Sequence, residues 1–132
     1  MTQVHFSVKA LIIKGNQFLA IHKCNATGDF FDLPGGKMKP NESAEETLHR
    51  EVKEETNLTI TSLKLLDTWQ CVNDHYLIMG VLYICEVAEQ DVEIILSPEH
   101  DYYEWLPLGA SSATKMKDSL ATSISHLNFS TL

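Results

Sequence analysis

The chain has little that would commit it to nucleic acid, a membrane or an oxidising compartment. Lys and Arg together number 10 against 18 Asp and Glu, a formal charge of -8 over 132 residues. Nucleic acid polymers are bound through basic surface, so this balance argues against such a partner. There are three cysteines, Cys24, Cys71 and Cys85. None forms a CxxC pair and an odd number cannot all be paired, so reduced structural thiols are expected in place of disulfides or a zinc site. The six histidines are scattered without metal-ligand spacing. No apolar run approaches the length of a membrane span, and the amino terminus lacks a basic region leading into an apolar stretch and cleavage site. A cytoplasmic protein with no membrane partner is expected. Pro- or Ser-rich linkers, internal repeats and low-complexity segments are also missing. With 44% hydrophobic content, residues 1–132 are expected to form one domain with a sizeable core.

The elements present predict an α/β fold with a mixed sheet flanked by helices. Val4 to Ile13 and Gln17 to His22 read as strands joined at Gly15-Asn16, a hairpin signal. A loop from Lys23 to Ser43 leads into a helix. Strands are then expected over Leu58 to Trp69, His75 to Val87, Val92 to Leu96 and Tyr103 to Leu106, followed by an amphipathic helix over Ala113 to Leu127.

The helix after the loop is the most informative segment. Ser43 followed by Glu46 is a capping-box pattern, and Asn57 is a residue that tolerates the left-handed stop, which predicts a helix from Ala44 to Thr56. At about 100° per residue, Ala44, Leu48 and Val52 form an apolar stripe, with Glu45, Glu46, His49 and Lys53 on the opposite face. Glu51 and Glu55 interleave with the stripe, and Glu54 lies at its border. Carboxylates there are costly twice over. They sit beside a buried surface, and they occupy the last helical turn, where the dipole disfavours an anion by roughly 0.3–1 kcal/mol. Arg50 and Lys53 are the cations in that half of the helix, and Lys53 points away. A hard divalent ion, Mg2+ or Mn2+, answers the oxygen-only cluster, whereas a solvated glutamate-rich face is the plain alternative.

Gly36, Glu42, Arg50, Glu51, Val52, Glu54, Glu55, Asn57 and Leu58 fall in the pattern G-x5-E-x7-R-E-U-x-E-E-x-G-U, with U aliphatic, and this stretch resembles the signature of the Nudix hydrolases. The last glycine is replaced by Asn57. Asn41 and Lys39 stand where related sequences often carry glycine and glutamate. Leu33, Pro34, Gly35 and Gly36 resemble the family's glycine turn, in which backbone approaches ligand closely and a carbonyl is free for the cation. Ser97, Pro98, Glu99 and His100, then Glu104 and Trp105, resemble the segment that returns a loop glutamate to the metals; spacing to the tryptophan favours Glu99 over Glu104.

The resemblance implies a Nudix-type α/β/α sandwich with a catalytic loop-helix-loop. It also implies a phosphoric anhydride hydrolase that uses Mg2+ or Mn2+ to cleave a nucleoside diphosphate linked to another group. Metal ligation would fall to Gly35, Glu51, Glu54, Glu55 and Glu99, and catalysis to Glu51, Glu54 and Glu55 without assignment of the general base. Arg50 would orient a catalytic glutamate, and Gly36, Glu42 and Asn57 would be structural. Small size and the placing of Trp105 resemble MutT-type members, which split a nucleoside triphosphate into monophosphate and pyrophosphate. ADP-ribose or nucleotide sugars form the alternative substrate class, and a catalytically silent binding module the alternative function, against which the retained glutamates stand. Phe30, Phe31, Tyr76, Tyr102 and Tyr103 are candidates to stack on a base, each also readable as core or surface aromatic. No counterpart of the asparagine that reads oxidised guanine is evident, and the cysteine and glutamate positions of a diphosphate isomerase of this fold cannot be placed.

Overall fold

The computed structural model describes residues 3–23, 30–72, 74–88 and 93–127. Strand β1 (Gln3–Lys14) and strand β2 (Gln17–Lys23) alternate in which face each residue serves. Val8, Ala10, Ile12, Leu19 and Ile21 enter one core cluster, and Leu11, Phe18 and Ala20 the other. A strand covered on both faces reads as a nearly continuous apolar run, which is the pattern both segments carry. The expected hairpin joins them, with Gly15 at φ 63°.

Helix α1 (Ala44–Thr56) has the predicted bounds. Ser43 accepts from the Glu46 N–H, and the Glu46 side chain returns to the Ser43 backbone, so the capping box is complete. Asn57 ends the helix at φ 69°, in the left-handed region. Leu48 and Val52 are fully buried, each contributing roughly 1.5–3 kcal/mol of apolar burial.

Strands β4 (Ile60–Val72), β5 (Tyr76–Val87) and β6 (His100–Pro107) complete a sheet of order β4-β5-β1-β2-β6, with β3 (Gly35–Lys37) paired to β1. The sheet is mixed, because β1 runs parallel to β5 and antiparallel to β2 and β3. Helix α1 packs on one face. Helices α2 (Ala110–Ala113) and α3 (Asp118–Ser125), with Met116 between them, cover the other. The layers are thus α/β/α.

Three expected elements differ. The strand expected over 92–96 does not form over 93–96, and Val92 lies outside the described residues. There the Ile95 and Ser97 N–H groups donate to the Thr56 and Glu55 carbonyls at 3.1 and 3.2 Å, satisfying helix-end acceptors instead of a neighbouring strand. The helix expected over 113–127 is split, because Phe31 inserts beside Met116. Its N–H donates to the Lys115 carbonyl at 2.8 Å and its carbonyl accepts from the Lys117 N–H at 3.0 Å. The loop expected over 23–43 contains β3 and a bridge between Ile21 and Asp32. Cys71 and Cys85 are free thiols, with burial pushing Cys85 up to about 12, while Cys24 lies outside the described residues. Among the described residues, no helix is long and apolar enough to cross a membrane.

The left-handed stop predicts a stability order. Asn57→Val should lose about 1–2 kcal/mol, since a β-branched residue resists positive φ, while Asn57→Gly should melt close to the parent. Equal melting temperatures for the two variants in thermal unfolding would contradict this.

Candidate active site

Pairing of β3 with β1 brings the glycine turn under helix α1. Gly35 has φ 148° and lies so close to β1 that a Cβ there would collide with the Val8 carbonyl, so only glycine fits. Its N–H donates to Glu55 Oε1 at 2.8 Å. Gly36 leaves the space that Glu51 fills, since a Cβ would lie 2.7 Å from the Glu51 carboxyl carbon. One glycine thus admits the β1 backbone and the next admits the Glu51 carboxylate.

Glu55 is only 8% exposed. Burial pushes its carboxyl up to about 7, against the opposing pull of the Gly35 N–H and Lys9, with Glu51 and Asp32 adding like charge. Burial also raises Glu51, opposed by Arg50 and reinforced by the charges of Glu54 and Glu99. Glu99 thus lies within electrostatic reach of Glu51, whereas Glu104 is an exposed residue of β6 opposite Ala20. Glu54 is the exposed member of the helix trio.

Arg50 organises the outer side of this cluster. Its Nε and Nη2 donate to the two Glu42 oxygens at 2.6 and 2.8 Å, a bidentate pair, while Nη1 donates to Glu51 at 2.9 Å and Glu54 at 3.3 Å. The guanidinium holds the Glu42 carboxyl down at about 2, and the glutamates raise Arg50 in return. Thr47, buried in the first half of α1, donates its hydroxyl to Glu42 at 3.1 Å. Among the described residues, no three acidic, histidine or cysteine side chains converge closely enough in this arrangement to hold a metal ion.

The sequence reading missed a second charged group beside the first. Asp32 Oδ2 accepts from Lys9 and Lys117, each at 3.1 Å, and Lys9 also donates to the Leu33 carbonyl at 3.2 Å. Burial works against the Asp32 charge, yet the two lysines hold its carboxyl below the ordinary range. The available signal was Lys9 itself, a lysine in the inward phase of an apolar strand, in step with Ser7 and Leu11. Several candidate stacking aromatics are committed elsewhere. Phe31 is buried and edge-on to Tyr102 at 5.6 Å, and Tyr102 stacks on His22 at 4.5 Å. Phe30 and Tyr103 remain exposed, and Tyr76 meets His5 edge-on.

A family model for the NUDIX domain matches residues 3–127. The chain belongs to the NUDIX family. Its fold resembles that of the MutT protein of Methanosarcina mazei Go1, with a TM-score of 0.79 at 24% identity, covering 93% of this chain and 91% of that one. Over 41 residues it is 46% identical to an 8-oxo-dGTP diphosphatase of Proteus vulgaris, 31% of this chain and 37% of that protein. Over 94 residues it is 31% identical to the asymmetrical bis(5'-nucleosyl)-tetraphosphatase of Mus musculus, 67% of this chain and 64% of that protein. The matches thus span less than two thirds of the length of either relative. NUDIX membership accounts for the glycine turn and the glutamate helix occurring together.

The buried carboxyl of this NUDIX site makes metal-free stability depend on pH. Glu55 ionises near 4.5 in the unfolded chain and near 7 in the fold, so between these values the fold binds the extra proton. Its contribution is intact below about 4.5 and is lost as pH rises through 7, a change on the order of 3 kcal/mol. Glu55→Gln should remove that slope and melt higher than the parent at pH 8 in chelator. Parallel pH profiles of melting temperature for the two proteins would refute it.

Proposed function

We propose that the chain is a divalent-metal-dependent pyrophosphohydrolase acting on a nucleoside diphosphate joined to another group, and that it converts a nucleoside triphosphate to monophosphate and pyrophosphate. The observation that carries this reading is Glu55, a buried carboxyl at the negative end of a helix, pushed up to about 7 next to a second raised carboxyl, Glu51. Such a group is stabilised as an anion by a hard cation. In donor chemistry the oxygens of Glu51, Glu54, Glu55 and Glu99, with the Gly35 carbonyl, suit Mg2+ or Mn2+, which favour carboxylates, carbonyls, water and phosphate oxygens, and these side chains would draw closer together to hold the ion. A bound ion would supply positive charge for the diphosphate oxygens and acidity to a water poised for in-line attack.

The chain's own residues prepare that chemistry. Arg50, fixed by Glu42, holds Glu51 by a charged hydrogen bond and so sets the direction of its carboxylate. Gly36 lets the Glu51 carboxylate lie against the turn, and the Gly35 N–H fixes one Glu55 oxygen. The proton taken from water goes to one of Glu51, Glu54 and Glu55. Asn57 closes the helix behind them. The whole is read as one catalytic domain acting in the cytoplasm on a small nucleotide, and the names of the Proteus and mouse relatives support nucleotide chemistry. Dinucleoside polyphosphates are the second substrate class, favoured by the mouse relative's activity as named. Retention of all three glutamates opposes a silent binding module.

The test is a panel of nucleoside triphosphates, 8-oxo-nucleotides, dinucleoside polyphosphates, ADP-ribose and nucleotide sugars with Mg2+ or Mn2+, products being separated chromatographically. Turnover should vanish in excess EDTA. Glu51→Gln, Glu54→Gln and Glu55→Gln should each lower kcat/KM by about 100- to 10,000-fold, while the exposed control Glu45→Gln stays near the parent. Comparable activity in all four variants would end the hydrolase reading.

A further inference from the structure

We infer that Asn57, which stands where the motif has glycine, is a positioning residue that ties segment 93–99 to the end of α1 and so sets Glu99 against Glu51; for its activity readout this rests on the proposed hydrolysis. A helix end needs partners for its last carbonyls, and a glycine would supply the left-handed turn alone. Asn57 supplies the turn at φ 69° and a side-chain donor as well, its Nδ2 reaching the Glu93 carbonyl at 3.1 Å. From Glu93 the chain runs along the helix end, the Ile95 N–H on the Thr56 carbonyl and the Ser97 N–H on the Glu55 carbonyl. Ile94 and Leu96 pack into the α1-side core while Ile95 faces solvent, so the segment has one settled face.

Beyond Ser97 the chain turns. The His100 N–H donates to the Ser97 carbonyl at 3.0 Å and the Ser97 hydroxyl meets His100 Nδ1 at 3.2 Å, closing a turn with Glu99 in it. Glu99 is among the like charges felt by Glu51. Glu55 therefore has two jobs on one residue: its side chain is in the carboxylate cluster and its carbonyl holds the segment that delivers Glu99. Asn57 fixes the upstream end of that segment. Groups outside the first coordination shell that orient ligands typically change metal affinity by about 10- to 100-fold when removed.

The experiment compares Asn57→Gly and Asn57→Asp, alone and combined with Glu99→Gln. Both replacements accept the left-handed turn and remove the donor. Asn57→Gly should melt like the parent yet bind Mn2+ about 10-fold more weakly by calorimetry without nucleotide, with a matching rise in the Mn2+ concentration for half-maximal hydrolysis. In the metal-free protein the Ile95 and Ser97 amides should exchange faster. In the Glu99→Gln background, adding Asn57→Gly should change Mn2+ affinity little, because the residue through which it acts is already gone. Parent-like Mn2+ affinity in both single variants, or the full loss persisting in the Glu99→Gln background, overturns the assignment. A parent that binds Mn2+ but hydrolyses nothing in the panel sinks the proposed function alone, and calorimetry and exchange still decide for or against Asn57. A parent that binds no Mn2+ overturns both.

Discussion

The hydrogen bond from the Gly35 N–H to Glu55 Oε1, 2.8 Å long, is the contact on which the rest of the site depends. It joins the end of a helix to a three-residue strand, and it does so in a buried place where an ionised carboxylate is poorly tolerated. For the bond to exist, Gly35 must press against the Val8 carbonyl of β1, which no side chain permits. β3 must therefore pair with β1, and that pairing sets α1 over the sheet. Glu51 then falls over Gly36, and the Arg50 guanidinium, one residue back, reaches outward to Glu42. Close backbone approach, strand register and charge placement are thus one arrangement described at three scales.

The helix and its charges were legible in the sequence because their rules are local. Ser43, Glu46 and Asn57 act within a few residues of themselves, so the bounds Ala44–Thr56 could be read directly. The two inward glutamates could be read from helical phase, since Leu48 and Val52 fix which side is buried. Alternation in β1 and β2 was equally plain. What could not be read depends on partners distant in sequence. Segment 93–96 has the composition of a strand, but its N–H groups meet helix-end carbonyls instead of a sheet neighbour. The periodicity of 113–127 is helical, but Phe31 claims the backbone at Lys115 and Lys117 and breaks it. Asp32 gives no sign in the sequence that two lysines, one of them 85 positions away, will share its carboxylate.

The two charged groups follow opposite logics. Asp32 is buried with cations already in place and is held ionised; it is complete within the fold. Glu55 is buried with one backbone donor and a distant lysine and is pushed toward its neutral form. Arg50 relieves Glu51 and Glu54 from the solvent side but does not reach Glu55 among the hydrogen bonds it makes. A protein built for stability alone would treat both carboxylates as it treats Asp32. The difference between them, a few side chains apart, separates a structural charge from one held ready for a ligand.

The parallel pairing of β1 with β5, from Gln3 opposite Tyr76 to Ile12 opposite Cys85, governs the order in which the parts can come together. Helix α1 and the β4–β5 hairpin need only neighbours in the chain, so they can form early. β1 has no parallel partner until β5 has been synthesised, and closing so long a loop is slow relative to helix formation. Pairing of β3 with β1, which aims the Gly35 amide at Glu55, needs no residue of β5, whereas the other edge of β1 stays open until β5 joins it. The carboxylate helix can therefore form before the sheet beneath it is complete, and a nascent chain that stops short of β5 carries every helix glutamate above a β1 that lacks its parallel neighbour.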